Sequence, residues 1–478
     1  MTLPFHKTKI VCTIGPASDT LEKMVQMIMA GMDIARLNFS HGNLGDHKSV
    51  IDNLRSAARA TGRRVAIMAD LPGPKMRIGD FKDEPVELIA GDNFVITADD
   101  VEGSRERVSV SLSNLPRVVT PGDALFLNDG MIHMEVTRVD GNDVHCRVIV
   151  GGELRSRKGL NIPGINPGIS AFTENDNAIL KFALENGIEA VSQSFVSGAG
   201  DVRAVRAAAA SLGSSPFIIA KIERADALKN LDEILEEADC IMIARGDLGV
   251  EIPIEEIAVV QKGIMKKANK AGKPVITATE MLESMIEHRR PSRAETTDVA
   301  NAIMDGTDCV MLSAESAIGK YPVEAVAMLS RIAEVTEPHI SGYRREEAVM
   351  TYGNEDAVDL VDLISQNVNL ILGRIMPAAV FIPTLSGAAA RSVARFRLPV
   401  WLAAISPDDA VCQQLQFSYG VFPVHVPDYP EDWNAFTKEW LNARGIEGRY
   451  AVLTEGPSVK NPNSNNRIEI IDLRRLEK

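Results

Sequence analysis

The sequence predicts an α/β protein: a (β/α)8 barrel with a small β-barrel lid domain inserted after its third strand, followed by a C-terminal α/β domain. Three observations carry that expectation. Eight short apolar runs recur with helical segments between them. The rhythm breaks once, between Asp70 and Glu189, where far more chain is present than a crossover helix needs. From about residue 350 a second series of helix–strand units begins.

The first three runs are TKIVCTI (8–14), MDIARLNF (32–39) and RVAIMAD (64–70). EAVSQSF (189–195), PFIIAKIE (216–223), CIMIARGD (240–247), PVITATE (274–280) and CVMLSAE (309–315) complete the eight. Their continuous apolar character suits parallel strands covered on both faces. SDTLEKMVQMIMAG (18–31), DVRAVRAAAASLG (201–213), RADALKNLDEILEEA (224–238) and IEEIAVVQKGIMKKANKAG (254–272) place apolar residues three and four apart, and several end at Gly. No Gly-x-Gly-x-x-Gly turn follows the first strand, so an open doubly wound sheet is the weaker alternative.

The interruption reads as short strands: VELIA (86–90), NFVITA (93–98), RVSVSL (107–112), ALFLN (124–128), MIHMEVTRV (131–139) and DVHCRVIV (143–150). Gly-Asp, Asp-Gly and Gly-Asn pairs divide several of them, and LPGPK (71–75) and NIPGINPG (161–168) bound the unit as hinges. The tail offers strands at 378–383, 399–405, 421–426, 450–455 and 467–471. The expected domains are 1–71 with 168–345 for the barrel, 72–167 for the lid and 346–478 for the C-terminal unit.

At 478 residues the chain calls for several cores. Hydrophobic residues at 45% and charged residues at 24% exclude a disordered or fibrous chain. The net charge of −14 argues against a nucleic-acid binder. No apolar run has spanning length, and the start MTLPFHKTKI lacks a signal-peptide stretch, so no membrane association is expected. Five scattered cysteines without C-x-x-C spacing suit buried thiols in a reducing cytoplasm.

Barrel enzymes carry their reacting groups where the strands end. Arg36, Asn38, Ser40 and His41 end strand two, and Asp70 ends strand three. Lys221 and Glu223 end strand five; Arg245, Gly246 and Asp247 end strand six. Thr277 and Thr279 end strand seven, and Ser313 and Glu315 end strand eight. Each alone reads as a helix cap or a solvated charge; their convergence on one rim does not. Glu223 and Asp247 suit a hard divalent ion that also takes substrate oxygens. Lys221, two residues before Glu223, shares its strand face and suits an anionic transition state. Arg36 offers a guanidinium fork for phosphate, and Arg245-Gly246-Asp247 opens a helix whose amides suit a carboxylate.

TKIVCTIGPAS (8–18), GMDIARLNFSHG (31–42), LPGPKMRIG (71–79), RKGLNIPG (157–164), IAKIER (219–224), ARGDLGVEIP (244–253) and RRPSRAETTDVANAIMDGTDCVMLSAESAIGKYP (289–322) closely resemble the pyruvate kinase family. The resemblance covers the barrel nearly end to end and is weak in the C-terminal domain. It implies phosphoryl transfer from phosphoenolpyruvate to ADP, giving pyruvate and ATP at the last step of glycolysis. It implies that Arg36, Lys221, Gly246, Asp247 and Thr279 bind substrate, with Arg36, Lys221 and Thr279 catalytic. Glu223 and Asp247 would ligate Mg2+ or Mn2+, while Asn38, His41, Arg77 and Lys158 would contact nucleotide and Asp129 would sit on the lid near the site. A cytoplasmic homotetramer is implied by the same likeness.

Departures from the family pattern carry their own expectations. Many members hold K+ at the positions of Asn38, Ser40, Asp70 and Leu71, with Thr at the last and Glu at the Lys75 position. Leu71 offers no side-chain oxygen and Lys75 supplies a fixed positive charge, so K+ is expected not to be required. In TLSGAAARSVARFR (384–397), Leu385, Ala388 and Ala389 replace the usual Arg or Lys of a phosphate turn. A sugar-phosphate or nucleotide effector on Thr384, Ser386, Gly387 and Arg391 stands there against plain helix capping, and GPSVKNPNSNNRIEI (456–470) departs from the family's glycine-rich pattern. The alternatives are a metal-dependent aldolase or lyase handling an enolate, and a catalytically inactive relative kept for regulation.

Overall fold

A computed structural model describes residues 3–340, 360–456 and 465–477. The expected boundary at 345/346 and residues 457–464 lie outside the described residues. The barrel begins with β1 (Lys9–Thr13), β2 (Ile34–Asn38) and β3 (Ala66–Leu71). The insert follows with β4 (Val86–Leu88), β5 (Asn93–Thr97), β6 (Arg107–Ser109), β7 (Ala124–Leu127), β8 (Ile132–Asp140), β9 (Asp143–Val150), β10 (Gly152–Leu154) and β11 (Leu160–Asn161). The barrel resumes with β12 (Ala190–Gln193), β13 (Phe217–Ile222), β14 (Cys240–Ala244), β15 (Val275–Ala278) and β16 (Cys309–Leu312). All eight expected barrel strands are present, and they close in the order β1-β16-β15-β14-β13-β12-β3-β2 with every pairing parallel.

Alternation along each strand splits the barrel core in two. Val11, Ile34, Ala66, Met68, Ala190, Phe217, Ile219, Cys240, Met242, Ile276, Cys309 and Met311 fill the lumen. Their neighbours, such as Ile10, Ile67, Leu71, Ile218 and Ile241, pack outward against the helices. The inward series continues up each strand into polar residues: Ile34–Arg36–Asn38, Met68–Asp70, Ala190–Ser192–Ser194 and Phe217–Ile219–Lys221. The period of two thus delivers the rim chemistry.

The insert is all-β, as expected. It is a six-stranded sheet, β11-β7-β8-β9-β5-β6, beside a two-stranded ribbon, β10-β4. Its outer strands are two or three residues long and pair briefly, so isolated bridges at Arg77–Gly159, Ile78–Val110 and Phe81–Gly103 take the place of a continuous closing ladder. The helix expected over 224–238 is broken into Ala225–Lys229 and Leu231–Glu237. Asn230 at the joint turns its side-chain amide to the Ser197 carbonyl at 2.8 Å, which holds the bend.

The C-terminal strands β17 (Ala379–Pro383), β18 (Trp401–Ser406), β19 (Val421–His425), β20 (Tyr450–Glu455) and β21 (Arg467–Asp472) form one sheet, β19-β18-β17-β20-β21. This domain seals the lower end of the barrel. Phe417 enters the lumen core and stacks on Phe217 with ring centres 5.1 Å apart. Beside it, Arg397 is buried and grips Asp308, just before β16, at 2.6 and 2.8 Å. Arg397 also donates to the side-chain oxygen of Asn269 at 2.8 Å and to the Gly306 carbonyl at 2.5 Å. Removing one partner of a buried pair strands the other charge. Arg397→Leu is therefore expected to cost about 3–5 kcal/mol in the transition that parts the two domains, read by urea denaturation; an unchanged midpoint would contradict this junction.

Candidate active site

At the carboxyl ends of the strands, inward polar residues form a chain of alternating charge. Arg36 donates to Asp70 from Nε at 2.9 Å and Nη2 at 2.5 Å, and to Thr13 Oγ1 from Nη1 at 2.8 Å. Asp70 lies 3.3 Å from Lys221 Nζ, which sits 2.8 Å from Glu223 Oε1. Burial alone would raise the Asp70 pKa, but Lys221 and Arg36 hold it down at about 2. Burial alone would lower that of Lys221, yet Asp70 and Glu223 raise it above the usual lysine value. The ammonium is therefore a fixed charge at neutral pH rather than an acid.

Strand β12 contributes no ion, and sequence reasoning passed over it. Its end nevertheless braces all three central charges. Ser192 Oγ donates to Asp70 at 2.6 Å, Ser194 Oγ accepts from Lys221 Nζ at 2.7 Å, and the Phe195 amide donates to Glu223 Oε2 at 2.8 Å. Ser192 and Ser194 share the inward register of Ala190, and Thr13 that of Val11, but register alone does not single out a small hydroxyl residue.

Asp247 lies in the first turn of the helix Arg245–Glu251. Its carboxylate makes no hydrogen bond or ion pair among the described residues. Burial and the neighbouring Glu223 charge push its pKa up to about 6, with Lys221 and Lys75 opposing and Asp129 adding to the rise. This surplus of negative charge fits a cation. Among the described residues no three His, Cys, Asp or Glu side chains could enclose a metal by themselves. A hard ion on Glu223 and Asp247 would complete its shell from water and substrate oxygens.

Three turns around this mouth run through left-handed backbone. Thr279 and Glu280 have φ of 66° and 55°, Phe195 has 58°, and Asn128 and Asp129 both have 55°. For a β-branched residue such as Thr this is an unfavourable conformation, costing about 1–3 kcal/mol. Arg245 holds the Thr279 turn, donating to the Ala278 carbonyl at 3.2 Å and the Thr279 carbonyl at 2.7 Å while paired with Asp298 at 2.6 Å. The Gly246 amide, expected to be free for a carboxylate, donates instead to Thr279 Oγ1 at 2.8 Å. The lid turn at 128–130 rests over this helix: a Cβ on Gly130 would come within 3.2 Å of Val250.

The remaining expected residues lie around the mouth and the lid hinges. Asn38 Oδ1 accepts from the Ser40 amide at 3.0 Å, and His41 is exposed. Arg77 Nη1 donates to the Arg157 carbonyl at 2.7 Å, and Lys158 lies one residue before Gly159, which bridges Arg77. Lys75 is exposed and forms no ion pair among the described residues. Leu71 corrects an expectation: its side chain belongs to the helix-facing core, so its lack of an oxygen does not alter the rim.

The C-terminal domain holds a cavity of about 980 Å3. In its loop, Thr384 Oγ1 accepts from the Gly387 amide at 3.0 Å, and Arg391 Nη2 donates to the Ser386 carbonyl at 2.9 Å. The loop hydroxyl and the arginine thus hold the loop itself. Arg467, the one cation on the described cavity wall, is paired with Glu455.

Comparison with known proteins agrees with this geometry. The family model described as "Pyruvate kinase, barrel domain" matches residues 5–326, and "Pyruvate kinase, alpha/beta domain" matches 362–471. A pyruvate kinase of Thermococcus litoralis is 48% identical, covering 99% of this chain and 100% of the relative. One from Geobacillus stearothermophilus is 43% identical over 88% of this chain and 72% of its own. The crystal structure of a pyruvate kinase from Cryptosporidium parvum superposes with a TM-score of 0.92 at 35% identity, covering 98% of this chain and 96% of the other. With the barrel, the insert and the C-terminal unit all accounted for in this way, the chain belongs to the pyruvate kinase family.

Proposed function

We propose that the protein transfers the phosphoryl group of phosphoenolpyruvate to ADP, using the rim of the barrel. The observation that carries this reading is the chain Arg36–Asp70–Lys221–Glu223, with the unpartnered Asp247 beside it. Thr13 and Asp70 take three of the five guanidinium N–H groups of Arg36, leaving two for the substrate phosphate. Lys221 offers a fixed positive charge to the phosphoryl group as its bond to the enol oxygen breaks and one to the ADP β-phosphate forms. The enolate then takes a proton at its methylene carbon to give pyruvate. The Thr279 hydroxyl, fixed between the Gly246 amide and the Ala278 carbonyl, orients that carbon and takes part in proton delivery.

Glu223 and Asp247 would hold Mg2+ or Mn2+, which supplies Lewis-acid polarisation of substrate oxygens when bound. Asn38, His41, Arg77 and Lys158 are assigned to the nucleotide, and closure of the insert over the mouth excludes water. The chain divides on this reading into barrel (1–71, 168–345), lid (72–167) and C-terminal domain (346–478). The complete set of ions disfavours an inactive relative, and the lid contact over Val250 disfavours a lid-free lyase.

Cation independence rests on Lys75 alone, since Leu71 faces the helices. Its charge reaches Asp247 and takes the place of a monovalent ion at Asn38, Ser40 and Asp70. A homotetramer is supported by exposed Ile254, Val259 and Val335 on the barrel helices, at 72, 72 and 71% exposure. The C-terminal cavity has room for a sugar phosphate or a nucleotide, and the one arginine among its described lining residues is paired with Glu455. No helix among the described residues is long and apolar enough to cross a membrane. Five buried free thiols suit the cytoplasm.

Lys221→Met is expected to lower pyruvate formation by at least about 10²–10³-fold while phosphoenolpyruvate still binds; turnover close to wild type would overturn the assignment. In tetramethylammonium buffer the wild type is expected to keep most of its activity, whereas Lys75→Glu becomes dependent on added K+. Collapse of the wild-type rate without K+ would refute the role of Lys75.

A further inference from the structure

The junction between the barrel floor and the C-terminal domain carries more positive charge than its acids balance. Three carboxylates there are each taken by an arginine: Asp308 by Arg397 at 2.6 Å, Asp239 by Arg206 at 3.2 Å and Asp362 by Arg395 at 3.1 Å. Asp308 is also saturated by the Val275 and Tyr419 amides, at 3.0 and 2.9 Å. Lys273 and Arg391 remain, and neither forms an ion pair among the described residues. Lys273 Nζ donates to the Ala238 carbonyl at 2.8 Å, and Arg391 Nη2 to that of Ser386 at 2.9 Å.

Both cations line a small cavity of about 10 Å3 together with Arg397 and Ser418. Buried polar atoms around it lack any hydrogen-bond partner: Arg391 Nη1, Arg397 Nε and Ser418 Oγ. Arg397 and Ser418 are 2% and 0% exposed, so bulk water does not satisfy them. Burial lowers the pKa of Lys273 and of Arg391; the Asp239 charge opposes this at both, while at Lys273 the neighbouring Arg391 and Arg206 charges add to the lowering. A water molecule would fill the space and satisfy a donor without balancing the charge. An anion does both.

We propose that this junction binds a small inorganic anion of chloride size between Lys273, Arg391, Arg397 and Ser418, pinning the C-terminal domain to the barrel floor. The site is separate from the barrel rim and from the C-terminal cavity. Because the anion binds the folded junction, it stabilises by mass action and saturates, unlike general salt effects.

The test uses the full-length protein in sodium chloride against sodium gluconate at fixed pH and ionic strength, with sodium bromide for crystals. The expected result is a Tm that rises hyperbolically with chloride, a response lost in Lys273→Met and kept in Lys273→Arg. A bromide anomalous peak is expected within hydrogen-bonding reach of Arg397 Nε and Ser418 Oγ. Equal Tm values in chloride and gluconate, a chloride response that persists in Lys273→Met, or crystals showing only water at that position would overturn the proposal.

Discussion

An ammonium held between two carboxylates inside a closed barrel is the constraint on which the rest of the site depends. Lys221 is 8% exposed, and at that depth an unpaired charge would be driven to neutrality. Asp70 and Glu223 keep it charged, and Arg36 in turn keeps Asp70 ionised, so the four side chains sum to zero. Asp247 is left over at their edge, with the Asp129 charge of the insert nearby. That imbalance, rather than any ready-made cage, is what the proposed divalent cation would offset.

Such a chain needs rigid supports, and the barrel provides them unevenly. Strands β2, β3 and β13 deliver the ions, whereas β12 delivers two serines and a backbone amide that hold those ions in place. The connecting turns carry the strain instead. Thr279, Phe195 and Asp129 all sit in left-handed backbone at the mouth, and each is fastened to or resting on something stiffer. Arg245 is the clearest case, its guanidinium spent on carbonyls of the Thr279 turn rather than on a ligand. The cost of that strain is met by packing throughout the closed sheet.

At the other end of the barrel the same logic serves assembly. Phe417 stoppers the lumen, Arg397 bonds the C-terminal domain to the strand that carries Asp308, and Glu337 accepts from the amides of Lys7 and Thr8 at 2.7 Å each. Chemistry and domain attachment thus occupy opposite ends of one sheet, with the lumen core between them. The cations that remain unbalanced at the floor belong to this attachment and not to the rim.

Local patterning made much of this legible. Eight apolar runs, the break after Asp70 and the five C-terminal runs each signal strands because periodicity and flanking turns are properties of neighbouring residues. The charged rim residues were legible for the same reason, each lying at the end of a run. Ser192, Ser194 and Thr13 were not, since a small hydroxyl residue has no distinguishing signal until a partner is placed across the lumen from it. Nor could the break at Asn230 be read, because it depends on a carbonyl over thirty residues away in the chain. The occupied Gly246 amide and the outward face of Leu71 likewise follow from pairing and register. Residue order thus dictated which elements form and which ions they carry. Closure of the barrel dictated which ions meet, because Coulomb and hydrogen-bond partners are chosen by distance in space, and that distance is set only when the last strand pairs with the first.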